Sequence, residues 1–343
     1  MTYSLLIMTL ATSTIITLAS HHWLLAWLGL EINTLAMIPI IAKPHHPRAT
    51  EAATKYFLIQ AIAAALILFS SIINAWQTGH WTIMGTTSVP ATTMLTLALI
   101  MKLGLAPTHL WYPEVIQGAT MTTALILSTW QKLAPLALTY MLFHQLSPTI
   151  ILSIGLLSAL AGGWAGLNQT QTRKIMAFSS IAHMGWLLAA MTLNYNLTTL
   201  TLLTYIIMTT AMFTTLTYTM TKTLSDLATT WTHAPMLLST TMLTLMSLGG
   251  LPPLTGFTPK WLITKELVSA TMLPIATTLI LASLPSLFFY IRLAYFTTLT
   301  APPSNTNNKL NWRFSSTTPK LLALSLTMTT MLLPLTPLFY PTL

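Results

Sequence analysis

The chain has 343 residues, of which 54% are hydrophobic and only 6% charged. Soluble globular domains carry about 25% charged residues, so a water-soluble enzyme or binding domain is excluded and a membrane protein is expected. The net charge of +9 does not point to nucleic acid, because the 14 basic residues are scattered rather than gathered on one soluble face. Cysteine is absent, which excludes disulfides, thiolate metal sites and cysteine nucleophiles.

A transmembrane helix needs about 20 mostly apolar residues to cross a hydrocarbon core of about 30 Å. Apolar runs bounded by polar or turn residues predict eleven spans, near residues 3–20, 23–42, 55–76, 91–112, 119–142, 148–168, 174–193, 197–221, 234–264, 268–298 and 318–338. Residues 1–343 are expected to form one membrane domain, with Ser304 to Arg313 as the one long polar loop. No secretory or arginine-rich transit segment is expected ahead of the first span, which fits a product made inside the organelle that holds it, or inserted during synthesis in bacteria. Lys43, Arg48 and Lys55 fall between spans 2 and 3, Arg173 and Lys174 between 6 and 7, Lys222 between 8 and 9, and Lys309, Arg313 and Lys320 between 10 and 11. The loops after spans 1, 3, 5 and 7 hold no lysine or arginine. The positive-inside rule therefore predicts the N-terminus on the cytoplasmic or matrix side and, with an odd span count, the C-terminus on the other.

Two spans carry helix breakers. Span 4 contains Lys102-Leu-Gly104-Leu-Ala-Pro107, and span 9 contains Gly249-Gly250-Leu-Pro252-Pro253, followed by Gly256 and Pro259-Lys260. Proline removes a helical donor and glycine weakens the helix, so each span is expected to break within the bilayer. Free backbone at that depth is tolerated only inside protein or beside a wet cavity. Each break is the fourth span of a five-span block, which predicts repeats over about 1–145 and 146–300 and a C-terminal loop and helix over about 301–343. Paired interrupted segments of this kind mark the inverted repeats of transporters; ordinary proline kinks are the alternative. The expected fold is all-α and polytopic, with about eleven transmembrane helices in two inverted five-helix repeats, each with a broken fourth helix, plus one C-terminal helix.

Four charged residues lie deep in apolar segments: Glu31, Lys102, Lys132 and Lys260. A charge at a helix centre costs about 2.5 to 3.5 kcal/mol on insertion scales, so four in one chain point to a task. Snorkelling is the alternative, and it requires a position within a turn or two of a span end. The task that suits one acid among several bases is proton relay. Desolvation disfavours an ammonium and a nearby carboxylate favours it, so a change in either switches a lysine between holding and releasing its proton. His183, near the middle of span 7, is a possible further relay, with a hydrogen-bonded structural histidine as the alternative. His109 and Glu114, at the end of span 4, are weaker candidates. His21-His22 and His45-His46 lack carboxylates or a third ligand and read as interfacial rather than metal-binding. Gly162, Gly163 and Gly166 read as small residues that let helices approach closely. No GxGxxG, P-loop, CxxC or paired-histidine haem spacing is present, so no cofactor site is expected in this chain.

The segments Trp27-Leu-Gly-Leu-Glu31-Ile-Asn33, Met101-Lys102-Leu-Gly-Leu-Ala-Pro107-Thr-His109, Trp111-Tyr-Pro113-Glu114-Val-Ile-Gln-Gly118, Trp130-Gln-Lys132-Leu-Ala-Pro135 and Gly249 to Trp261 resemble the subunit 2 family of vertebrate mitochondrial NADH dehydrogenase. That family belongs to the antiporter-like proton-pumping subunits of respiratory complex I, and the resemblance covers essentially the whole chain. It implies that Glu31 and Lys102 form the pair of a first half-channel, Lys132 the central relay and Lys260 the end of a second. It also implies a place in the mitochondrial inner membrane beside other membrane-arm subunits, including neighbouring antiporter-like ones, with lipids as further partners and no nucleic acid. NAD, FMN, iron-sulfur clusters and ubiquinone are then expected on other subunits. Bacterial members carry three further N-terminal spans, whose loss leaves both repeats in place. The alternatives are a sodium/proton antiporter subunit, which would share the repeats and lysines, and a structural subunit whose charges only fix packing.

Overall fold

Lipid offers no hydrogen-bond partners, so a chain of long apolar runs must satisfy its backbone within each run, and the helix does this. The computed structural model describes residues 2–232, 234–298 and 320–339. Among these residues the chain is helical, and β-structure is limited to isolated bridges. It packs as two units, Met1–Leu157 and Ser158–Leu343.

The first unit holds α1 (Thr2–Ala19), α2 (Trp23–Ala42), α3 (Pro47–Thr78), α4 (Val89–Leu103), α5 (Trp111–Gly118), α6 (Met121–Ser128) and α7 (Trp130–Met141), and α8 (Pro148–Gly166) begins in it. α1 packs on α2, α2 on α3, and α3 on both α4 and α5. The α1–α2 approach depends on Gly29, where a Cβ would sit 2.6 Å from Thr17 Cγ2. The second member of each early histidine pair caps a helix: His22 Nδ1 accepts from the Leu24 N–H and His46 Nδ1 from the Arg48 N–H, each at 3.2 Å. Those nitrogens satisfy donors that a helix start otherwise leaves open.

The second unit holds the end of α8, then α9 (Thr172–Met191), α10 (Tyr195–Thr219), α11 (Leu224–Thr229), α12 (Pro235–Gly249), α13 (Phe257–Ser269), α14 (Leu273–Thr298), α15 (Lys320–Met331) and α16 (Thr336–Phe339). α9 is buried along nearly its whole length, and α10 packs on α9, α12, α13 and α15. Gly162 and Gly166 let α8 lie against its neighbours: a Cβ on Gly162 would meet the Ala182 N at 2.6 Å, and one on Gly166 would meet the Phe289 ring at 2.8 Å. The Arg292 guanidinium donates to the Leu167 carbonyl at 2.8 Å, placing a cation at the C-terminal end of α8. Thr223 and Asp226 form a reciprocal capping box on α11, and the bonds from Thr223 hold the Asp226 carboxyl below the usual carboxylate range.

Among the described residues six helices, α2, α3, α8, α9, α10 and α14, are each long and apolar enough to cross a membrane unbroken. The other expected spans differ in instructive ways. Spans 4 and 9 are broken where glycine and proline require it, as α4/α5 and α12/α13. Span 5 is also interrupted, at Thr129 between α6 and α7. There the Leu125 carbonyl attracts the Thr129 N–H, the Thr129 hydroxyl and the Ser128 hydroxyl, and such back-bonding bends helices without a glycine or proline to announce it. α3 begins eight residues earlier than expected and takes Arg48 and Lys55 out of the loop. Among its described residues the eleventh span is α-helical over Lys320–Met331, turns more tightly at Leu333–Leu335 where Pro334 lacks a donor, and resumes as α16 at Thr336. Lys309 and Arg313 lie outside the described residues, as does the Lys320 side chain.

Outward faces are apolar and inward positions include polar groups. Leu24, Leu25, Leu28 and Leu35 of α2 are exposed, as are Trp76 and Trp164, whereas Asn33, Gln60, Asn74, Lys102 and Lys132 are buried. An apolar exterior of this extent suits hydrocarbon.

Gly162→Ala is expected to destabilise the fold by about 1–3 kcal/mol, because the new methyl meets the Ala182 and Phe178 backbones rather than a side chain that can turn. A lower thermal midpoint of the purified complex checks this.

Candidate functional site

The break in the first unit is a helix C-cap inside an apolar segment. α4 ends at Gly104, whose φ of 71° is a left-handed conformation that suits glycine. The Gly104 N–H donates to the Met101 carbonyl and the Leu105 N–H to the Ile100 carbonyl, a Schellman pattern. The chain then passes a cis Ala106-Pro107 bond before α5. Lys102 therefore lies in the last turn of α4, beside the carbonyl end, where a cation is favoured. Its own carbonyl, left without a helical donor, accepts from Gln60 Nε2 at 3.4 Å.

Lys102 opens on a cavity of about 20 Å³ whose lining includes Asn33, Tyr56, Gln60, Gln131 and Lys132. That volume accepts at least one water molecule, and the lining supplies several polar partners. Gln131 Nε2 donates to Asn33 Oδ1 at 2.8 Å, and the Tyr56 hydroxyl donates to Gln131 Oε1 at 3.5 Å. Lys132, on the first turn of α7, is 3% exposed and holds its ammonium 5.0 Å from the centre of the Tyr112 ring. Glu31 is within electrostatic reach of Lys102 and Tyr56. It makes no salt bridge with Lys102, however: among the described residues Lys102 Nζ and Glu31 Oε2 are both buried without a hydrogen-bond partner. The two groups are not in direct contact.

The second break repeats the geometry. α12 is capped by Gly250 at φ 78°, with the Gly250 N–H donating to the Ser247 carbonyl and the Leu251 N–H to the Met246 carbonyl, followed by a cis Pro252-Pro253 bond. Lys260 belongs to the far side of this break, on the first turn of α13. Its stem folds back over Gly250, and its ammonium donates to the Gly249 carbonyl at 2.8 Å. Both lysines thus lie beside the carbonyl end of the helix before the break, on opposite sides of it, and Lys260 bonds that end directly. Setting Gly104 against Gly250 also sets Pro107 against Pro253, and Lys260 then falls opposite Glu114 while Lys102 falls opposite Leu248. Lys260 shares a second cavity of about 20 Å³ with His183, Thr201, Thr204 and Tyr205. The Tyr290 hydroxyl lies 3.3 Å from His183 Nε2.

The fold therefore gathers Lys102 and Lys132 on one cavity with Glu31 nearby, and His183 and Lys260 on another. Glu114 is elsewhere: it and Glu51 pair with Lys55 at 2.7 and 2.6 Å on an exposed face, where they fasten α5 to α3. His109 is half-buried beside the first break. Among the described residues no three histidines or carboxylates converge to hold a metal. Sequence reading missed Tyr56, Gln60 and Gln131. The first two were detectable as a polar pair four apart in an apolar helix, and Gln131 as the neighbour of a buried lysine. Thr201 and Thr204 carried no such signal, because threonines recur along most helices, each bonded to a carbonyl three or four residues back.

A polytopic helical protein with lysines buried at capped breaks has the groups that a membrane carrier of charge needs. In agreement, residues 20–286 match the family model described as NADH:quinone oxidoreductase/Mrp antiporter, transmembrane, and residues 287–340 match NADH dehydrogenase subunit 2 C-terminus. The chain is 53% identical to NADH-ubiquinone oxidoreductase chain 2 of Struthio camelus over 97% of its length and 96% of that protein's, and 54% identical to that of Carassius auratus with the same coverage. It superposes on a chain of respiratory complex I from Thermus thermophilus with a TM-score of 0.81 at 27% identity, covering 97% of this chain and 79% of that one. An Mrp complex chain from Dietzia, at 15% identity and a TM-score of 0.80 over 98% of this chain and 78% of that one, shares the fold. The chain belongs to the NADH-ubiquinone oxidoreductase chain 2 family.

Because exposed ion pairs contribute about 0–1 kcal/mol, Glu114→Gln is expected to leave NADH-driven proton uptake within about twofold of wild type, as a dye-based uptake assay on reconstituted complex would read.

Proposed function

We infer that this chain is a core membrane subunit of respiratory complex I that translocates protons, driven by NADH oxidation and ubiquinone reduction on other subunits. The observation that carries this reading is the first cavity, where two buried lysines, with a carboxylate nearby, meet an amide and hydroxyl network in an apolar surround. Such a site has donors, acceptors and room for water. Glu31 and Lys102 are proposed as the entry pair, Lys132 as the central relay and Lys260 as the last carrier, with His183 as a further relay. The gap between Glu31 and Lys102 suits this role, because a locked ion pair would trap the proton rather than pass it.

The same reading proposes two inverted five-helix repeats, about 1–145 and 146–300, with a C-terminal loop and helix over about 301–343. It places the protein in the mitochondrial inner membrane, with the N-terminus in the matrix and the C-terminus in the intermembrane space. Its proposed neighbours are other membrane-arm subunits and lipids, and NAD, FMN, iron-sulfur clusters and ubiquinone are assigned to other chains. The sodium/proton antiporter reading is weaker, since identity is above 50% with the chain 2 proteins and 15% with the Mrp chain.

Lys102→Met and Lys132→Met are each expected to cut NADH-driven proton uptake at least tenfold while assembled complex stays at the wild-type level by native electrophoresis. Loss of assembly in step with pumping would favour a purely structural role, and unchanged pumping would contradict the relay. A protease site at the C-terminus should be cut from the intermembrane-space side; cleavage from the matrix side alone would overturn the orientation.

A further inference from the structure

We propose that α15 braces the second break through a single carbonyl, which makes Ser247 and Thr255 positioning residues for Lys260. This rests on the reading of Lys260 as a proton carrier. The last carbonyls of a helix lack internal donors, and α15 ends at Met331. The Thr329 carbonyl is met instead by the Thr255 hydroxyl at 2.5 Å and the Ser247 hydroxyl at 3.2 Å, and the two hydroxyls lie 3.2 Å apart. All three residues are buried. Among the neighbouring hydroxyls, Thr241 and Thr258 bond a carbonyl three residues back in their own segment, and Thr244 does so while also reaching Met212 Sδ of α10, as Ser247 reaches Met208 Sδ. Ser247 and Thr255 reach across 82 and 74 residues of sequence to a different helix.

The knot lies where it can set the reach of Lys260. Ser247 is in the last turn of α12, Thr255 is in the break, and Lys260 is one turn into α13. Gly256 presses onto Ser247 so closely that a Cβ there would overlap the Ser247 carbonyl oxygen. Fixing Thr255 against Ser247 therefore fixes the start of α13 against the end of α12. The 2.8 Å bond from Lys260 to the Gly249 carbonyl spans that same gap. With the hydroxyls removed, α13 is free to shift, and Lys260 leaves its carbonyl.

The test compares complex I carrying Thr255→Val, Thr255→Ser, Ser247→Ala or Lys260→Met, at equal amounts of assembled complex. The readouts are the Lys260 Nζ to Gly249 O distance in a density map and the pH profile of NADH-driven proton uptake in proteoliposomes. Thr255→Val should lengthen the distance beyond hydrogen-bond range, lower uptake roughly two- to tenfold, as loss of one buried hydrogen bond would, and change the pH profile. Thr255→Ser should restore all three. If Thr255→Val does not assemble, Ser247→Ala carries the same expectations with a smaller loss of volume. A wild-type distance in the hydroxyl-free variants, or a serine variant as impaired as the valine one, overturns the brace. Wild-type uptake in Lys260→Met overturns the carrier reading instead, and the distance then still decides whether the hydroxyls seat the lysine.

Discussion

The structure depends on one constraint: in an apolar surround, every backbone group released from a helix must find a partner inside the protein. The two breaks release carbonyls at Lys102 and Gly249, and the partners supplied are chemically active. Gln60 takes one, and the ammonium of Lys260 takes the other. Polar side chains are thereby drawn to the breaks. A lysine near a helix C-terminus is favoured by the same partial charge that unpaired carbonyls create, so the breaks make buried cations tolerable.

The halves solve this problem alike in backbone and differently in side chain. Both use a left-handed glycine and a Schellman pair. In the first, the lysine precedes the glycine and faces a cavity it shares with a second lysine; in the second, it follows the glycine and returns across the gap. On the proposed reading Lys102, whose ammonium has no hydrogen-bond partner among the described residues, exchanges its proton through water. Lys260 is tied to the Gly249 carbonyl, and on the same reading it is released before it passes a proton. The proposed reading therefore assigns the two breaks distinct parts in a transport cycle even though their backbone frames match.

Much of this was legible in the residues. Gly104, Pro107, Gly250 and Pro253 announce breaks because no other residues combine missing donors with left-handed backbone, and Glu31, Lys102, Lys132 and Lys260 stand out against apolar neighbours. The interruption at Thr129 was hidden, since it arises from hydroxyls competing for the Leu125 carbonyl rather than from a breaker residue. The depth of Lys102 was read from distance to the span ends, whereas its burial follows from a cap within the span. Ser247 and Thr255 were illegible for a similar reason: their sequence is indistinguishable from that of hydroxyl residues that bond only to their own segment. What a hydroxyl does is decided by tertiary approach.

The central claim is that protons move between these side chains through water held in the two cavities. A density map of the intact complex at a resolution that shows ordered water tests it most directly. Water joining Lys102 to the Gln131–Lys132 side of the first cavity, with further water between His183 and Lys260 in the second, is the result this account predicts. Cavities that are dry in every conformation of the working complex would contradict it.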